Sequence, residues 1–208
     1  MRTEPPFELL ETLKWDPTAG YVLLDRHLKR MADSAEYFGF RVQINDVKSA
    51  LQCAIQNRRS PSRVRVLAAS DGDVRCEVTD LILREEPWRV ALAAKPVSAS
   101  DVFLYHKTTR RAVHDEARAS RPDIDAVLLW NQSSELTESV DANVVLEFNG
   151  RRVTPPLECG LLPGTMRAEL LARGDISEQR VMTSDLARVE GIWLINSVRG
   201  WIEAKVLP

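Results

Sequence analysis

Residues 135–154 read ELTESVDANVVLEFNGRRVT, and this stretch decides the architecture. Val144–Phe148 is an apolar strand run, Asn149-Gly150 is a strong two-residue hairpin signal, and Arg151–Thr154 is the returning strand. Glu135–Thr137 reads as a further strand just upstream. Strands joined so tightly must run antiparallel, which argues against a doubly wound parallel sheet. The pattern continues outward on both sides. Ala126–Trp130 precedes it as a strand. A helix opens after Pro163-Gly164 and runs to Arg173, another starts at Ser184 or Asp185, and Ile192–Val198 and Trp201–Val206 close the chain as strands.

The first half has its own mixture. Phe7–Trp15 reads as a strand and Asp16–Gly20 as its turn. Leu24, Leu28, Met31, Ala35 and Phe38 then recur at spacings of four and three, one apolar face of a helix from Asp25 to Phe38 that ends near Gly39. A second helix starts at Asn45, read as its cap, with Val47, Leu51, Ala54 and Ile55 on the buried side. Three strands follow, Arg63–Ala69, Val74–Leu83 and Trp88–Ala94, the first two joined at Asp71-Gly72. Lys95–Ser100 is a short polar linker. Beyond it come a strand, Asp101–His106, and a helix from Thr108 to Ser120. The expected organisation is therefore α+β with two domains, residues 1–97 and 98–208.

Composition removes whole classes of function. The chain has 208 residues, 44% hydrophobic and 28% charged, with 28 Lys+Arg against 30 Asp+Glu. Disordered and fibrous chains are excluded, and with no basic block a dedicated nucleic-acid binder is not expected. No apolar run approaches the about 18 residues of a membrane span, and the start, MRTEPPFELLE, is acidic where a signal peptide is basic. Cys53, Cys76 and Cys159 are odd in number with no CxxC, which fits a reducing cytoplasm and neither a disulfide framework nor a zinc site. Asn131-Gln132-Ser133 is then a chance glycosylation match. GxGxxG, GxxxxGK[ST], HExxH and GxSxG are all absent, and His27, His106 and His114 are too scattered for a metal site.

Lysine is scarce, with six against 22 arginines. Lys29 and Lys48 fall on polar helix faces. Lys107 stands where the apolar run Val102–Tyr105 hands over to a helix. From composition and spacing alone it reads as a surface lysine at a strand end.

Five pieces change that reading: FELLET (Phe7–Thr12), LDRHLKRM (Leu24–Met31), HKTTRR (His106–Arg111), ELTESVDANV (Glu135–Val144) and TPPLECGLLPGTMR (Thr154–Arg167). Together they resemble, in order and across nearly the whole chain, the class IV pyridoxal-phosphate enzymes. That group holds branched-chain and D-amino-acid aminotransferases and 4-amino-4-deoxychorismate lyase. FELLET, HKTT, the TES…ANVV run and the ending NSVRGW (Asn196–Trp201) give it the flavour of the lyase-like domain fused behind aminodeoxychorismate synthase.

The resemblance implies a two-domain, D-amino-acid aminotransferase-like fold type IV enzyme with pyridoxal 5'-phosphate in the cleft between domains. Lys107 matches the Schiff-base lysine, an amine that must be partly neutral to react. His106, Arg110 and Arg111 are the expected sources of local positive charge. Glu138 matches the carboxylate facing the pyridine nitrogen, with Asn143 five residues on tying down the loop; a surface glutamate, as Glu135 is, remains the plain alternative. Thr165 and Met166 match the helix start that cradles the phosphate, with a methionine where a hydroxyl residue is common. Leu162 matches the apolar residue packed on the cofactor ring, Arg30 the phosphate-binding arginine on the same helix flank as His27 and Ser34, and Ser197 a hydroxyl near the phosphate. Thr12 is a substrate-side hydroxyl.

By the same resemblance the substrate is a small amine. The reaction is formation of 4-aminobenzoate and pyruvate, and the state is a homodimer. An aminodeoxychorismate synthase is a possible partner. An amino-acid aminotransferase is the alternative, since it shares every cofactor residue; Ala112 stands where branched-chain aminotransferases carry a tyrosine. A non-catalytic accessory relative is the other class of reading. Only Met1–Pro6 precedes Phe7, so the first strand and glycine-rich stretch common in the family are expected to be missing.

Overall fold

The computed structural model describes residues 6–82 and 87–207. Met1–Pro5, and Leu83 at the end of the expected third strand, lie outside the described residues. The chain divides into two compact units, Met1–Ile82 with His106–Arg110, and Leu83–Tyr105 with Arg111–Pro208.

The first unit is a four-stranded antiparallel sheet under two helices. Strands β1 (Leu9–Asp16), β2 (Gly20–Tyr21), β3 (Ser62–Ala68) and β4 (Val74–Asp80) lie in the order β2-β1-β3-β4. β1 and β3 pair along their whole length, Leu9 opposite Ala68 and Trp15 opposite Ser62. Alternate residues of a strand share a face, so Leu9, Leu13 and Trp15 of β1 and Val64, Val66 and Ala68 of β3 form one apolar surface. Helix α1 (Leu24–Phe38) covers it with Leu28, Met31 and Ala35, and helix α2 (Ile44–Ala54) with Val47 and Leu51. The helical spacing of α1 is as expected, and Gly39 ends it at φ 69°, where Phe40 N–H donates to Ala35 O at 2.8 Å. The start of α2 differs from expectation. Gln43, not Asn45, is the cap residue, and Asn45 lies in the first turn with its carbonyl accepting from Ser49 Oγ.

In the second unit eight strands form one sheet: β5 (Trp88–Leu92), β6 (Ala126–Trp130), β7 (Leu136–Ser139), β8 (Asn143–Phe148), β9 (Arg151–Thr154), β10 (Ser177–Glu178), β11 (Gly191–Asn196) and β12 (Gly200–Val206). Their order is β10-β9-β8-β11-β12-β5-β6-β7. The hairpins β8–β9 and β11–β12 are antiparallel, whereas β5 joins β12 and β6 in parallel. β5, read with the first half from sequence, thus pairs inside this second sheet. β6 shows how both faces are filled: Ala126 and Leu128 enter one core, while Val127 and Leu129 face helix α3 (Ala112–Ser120). Helix α4 (Thr165–Arg173) covers Val145 and Ile195 through Leu170.

Two expected elements around the linker are corrected. Asp101–His106 is not a strand: Val102–Leu104 is a single 3₁₀ turn, because Asp101 Oδ1 accepts Phe103 N–H at 2.9 Å and bends the chain. The helix does not begin at Thr108 but at Ala112, because 107–109 are engaged in backbone pairing with residues 8–10. The expected helix at Ser184 is likewise a 3₁₀ segment, Thr183–Arg188. Among the described residues no helix is long and apolar enough to cross a membrane.

Candidate active site

In the first unit the odd-numbered, apolar face of β1 is interrupted at Glu11, which is only 2% exposed. α1 answers that charge from directly above. Arg30 donates Nε–H to Oε1 and Nη2–H to Oε2, both at 2.7 Å, and His27 Nδ1 lies 2.6 Å from Oε2. His27 and Arg30 are one turn apart, which places both side chains over one strand position. Burial alone would raise the Glu11 carboxyl, but the Arg30 charge and the bonds from Arg30 and His27 outweigh it and hold it down at about 2. Arg30, the expected phosphate ligand, is therefore fixed by a carboxylate that the sequence reading did not single out. The available signal was a lone glutamate on the buried face of an alternating strand.

One turn further along α1, Ser34 Oγ lies 2.9 Å from His106 Nδ1, and the His106 ring packs against Tyr37 and Phe38 at centroid distances of 4.5 and 4.8 Å. Burial pushes His106 below the usual imidazole range, with Asp33 opposing. It thus supplies an anchor rather than the positive charge expected beside Lys107. Lys107 sits in an extended segment stitched to the start of β1. Leu10 N–H donates to Lys107 O at 2.9 Å, Thr109 N–H to Glu8 O at 2.9 Å, and Glu8 N–H to Thr109 Oγ1 at 2.9 Å. The backbone of the candidate lysine is thereby set by FELLET itself. Thr12 lies on β1 with alternate facing to Glu11, away from the α1-covered surface.

The second unit gathers most of the other expected residues. Glu138 on β7 is 4% exposed. Its Oε2 is 3.4 Å from Asn143 Nδ2, and its Oε1 has no hydrogen-bond partner, although His114 Nε2 stands 3.5 Å away. Asn143, at the head of β8, also donates from Nδ2 to Leu162 O at 2.9 Å. Its Oδ1 lies so close to Gly164 that a Cβ there would be 1.8 Å away, so only glycine fits. One asparagine thus joins the buried carboxylate to the turn that starts α4, where Thr165 and Met166 form the first helical turn and no side chain caps the end. Ser197 lies two residues beyond Ile195, the register partner of Asn143, and so at the same end of the sheet. Arg111 is committed elsewhere: its Nη2 donates to Val140 O at 2.6 Å and to Asp141 at 3.1 Å.

A buried carboxylate with an unpartnered oxygen is costly unless a ligand supplies the missing donor. Beside a helix N-terminus opened by a glycine, it matches a ligand with a protonated ring nitrogen at one end and a phosphate at the other. The residues present fit pyridoxal phosphate.

The chain belongs to the class IV amino-transferase family, whose model matches residues 8–207. It is a pyridoxal-phosphate-dependent enzyme of fold type IV. A provisional aminodeoxychorismate lyase of Schizosaccharomyces pombe is 33% identical, covering 92% of this chain and 86% of the relative. The aminodeoxychorismate lyase of Saccharomyces cerevisiae is 28% identical over 89% of this chain and 67% of its own. Among solved structures, a provisional amino-acid aminotransferase from Mesorhizobium loti superposes with a TM-score of 0.93 at 34% identity, covering 97% of this chain and all of the other.

Proposed function

We propose that this chain is an aminodeoxychorismate lyase, releasing pyruvate from its amino substrate and leaving 4-aminobenzoate. The lyase reading is supported by the similar aminodeoxychorismate lyases of the two yeasts, and the cofactor assignment by the Glu138–Asn143–Leu162 chain, which would offer a ring-nitrogen acceptor and a phosphate turn in one unit. Pyridoxal phosphate, when bound, supplies an electron sink for the carbon that bears the substrate amine. Glu138 would keep the ring nitrogen protonated through Oε1, the oxygen without a hydrogen-bond partner. Leu162 would pack on the ring, and Thr165, Met166 and Ser197 would hold the phosphate; Arg30, which Glu11 holds rigid, would be a further phosphate ligand. Lys107 would be the residue that holds the cofactor, and its amine would move the proton at the amine-bearing carbon of the substrate. Thr12 contributes a hydroxyl to the substrate.

The Mesorhizobium relative favours a second reading, an amino-acid aminotransferase built on the same cofactor residues. The two part at one assay. A lyase releases pyruvate stoichiometrically with 4-aminobenzoate and without an added keto acid; a transaminase requires one. The cofactor assignment has its own test, the visible absorption band formed with pyridoxal phosphate. That band is expected in the parent and lost in Lys107→Ala. A homodimer in the cytoplasm, supplied by an enzyme that aminates chorismate, completes the reading, and analytical ultracentrifugation checks the dimer.

A further inference from the structure

His114 carries no role in the reading above, yet its surroundings are built around it. Arg111, the residue before α3, and His114 and Arg118 within it follow at spacings of three and four, along one face of the helix. All three point at the β7–β8 segment. Arg111 takes Val140 O and Asp141, and Arg118 pairs with Asp141. These two arginines dock the helix at its ends and leave His114 between them, 9% exposed, with Nε2 3.5 Å from Glu138 Oε1. Oε1 is the oxygen with no hydrogen bond, and Asn143 contacts the other oxygen at 3.4 Å.

We infer that His114 is a positioning residue for Glu138: it fixes the plane of the carboxylate so that Oε1 meets a ring N–H. This deepens the proposed function and rests on its assignment of Glu138. A carboxyl group has two acceptor oxygens and one soft torsion beyond Cγ. Asn143 restrains one oxygen. Without a second restraint the group rotates about that torsion and Oε1 leaves the ring-nitrogen direction. The 3.5 Å separation also has a use, since it guides Oε1 while leaving its hydrogen-bonding capacity to the ligand.

The experiment compares the parent, His114→Phe, His114→Gln and Glu138→Gln, each titrated with pyridoxal phosphate and with its 1-deaza analogue, in which ring nitrogen is replaced by carbon. Affinity and absorption maximum are read on purified protein. His114→Phe is expected to weaken pyridoxal phosphate about tenfold, the scale of losing one partner of a buried charged group, and to shift the band. The deaza analogue, with no nitrogen to orient, is expected to bind the parent and His114→Phe alike. His114→Gln, which keeps a donor at similar reach, is expected to restore the parent values. Equal weakening of both ligands, no weakening of either, or no rescue by Gln each overturns the inference. A Glu138→Gln that binds pyridoxal phosphate like the parent instead overturns the assignment of Glu138, so the two failures are separable.

Discussion

Glu11 and Glu138 are both buried glutamates on strands, one in each unit, and they are treated in opposite ways. Glu11 has three contacts of 2.6 to 2.7 Å, two from the Arg30 guanidinium and one with His27 Nδ1. Glu138 has contacts of 3.4 and 3.5 Å and one oxygen without a hydrogen bond. Burial costs each carboxylate its water. In the first unit the protein repays that cost itself, so Glu11 is finished as a structural group and its use is to hold Arg30. In the second unit one carboxylate oxygen is left without a hydrogen bond, which is what the proposed role of Glu138 toward a ring nitrogen requires.

The largest effect should come from breaking the satisfied cluster. Glu11→Ala leaves Arg30 and His27 buried with their shared acceptor gone, and removing one partner of such a pair costs about 3–5 kcal/mol. Urea unfolding of the cofactor-free protein measures it. Glu138→Gln should behave in the reverse manner, changing cofactor-free stability by less than about 1 kcal/mol because no short hydrogen bond is lost, while pyridoxal phosphate affinity falls. If both substitutions proved equally destabilising, the contrast between the two carboxylates would be lost.

Acid sharpens the same comparison. The folded Glu11 carboxyl is held at about 2 against an ordinary value of 4.5. Between those pH values the unfolded chain binds the proton and the folded chain does not, so stability rises with pH across the window. The contribution is complete above about pH 4.5 and is lost on descent towards pH 2. Two and a half units correspond to roughly 3 kcal/mol. Unfolding curves at pH 5 and pH 3 should show a little over half of this loss, about 2 kcal/mol, in the parent, and Glu11→Gln should remove the Glu11 part of the difference.

The sequence showed the hairpins and the helix faces through local pattern, and the candidates Lys107, Glu138 and the Gly164 turn only through the family resemblance of the five pieces that hold them. It showed less where long-range pairing took over. Residues 106–111 looked like a strand running into a helix, but 107–109 pair through their backbone with residues 8–10, about a hundred positions away. β5 looked like the last strand of the first half, yet its neighbours are β12 and β6. Glu11, His27 and His114 were legible only as residue types, since what matters is which carboxylate each imidazole meets, and no spacing rule reaches from α3 to β7. The unsatisfied oxygen of Glu138 is a property of the fold alone.

Gly164 tests whether the second site is a connected unit. A Cβ there enters the space of Asn143 Oδ1, so Gly164→Ala must push the asparagine off both Leu162 O and Glu138. Forcing an atom into a filled position costs about 1–3 kcal/mol, and pyridoxal phosphate affinity should fall with it. Shortening the neighbour in Gly164→Ala/Asn143→Ala removes the clash, so the double variant should lose less than the sum of the singles in denaturant unfolding. Strict additivity would mean the two positions do not share that space.

Gly150 supplies the smallest effect and the control. Unlike Gly164, whose φ is -64°, it has a positive φ, 71°, in the turn after Asn149 at φ 50°, and nothing lies within 4 Å of a Cβ placed on it. Gly150→Ala therefore meets only the intrinsic strain of the left-handed region, about 1 kcal/mol. Its unfolding midpoint should drop slightly while pyridoxal phosphate affinity and the absorption band stay at parent values. The pair Gly164→Ala and Gly150→Ala then separates the two reasons a glycine is needed in this chain. At position 150 the backbone requires it, and the β8–β9 hairpin bears the strain. At position 164 the neighbouring asparagine requires it, and the loss is read at the cofactor.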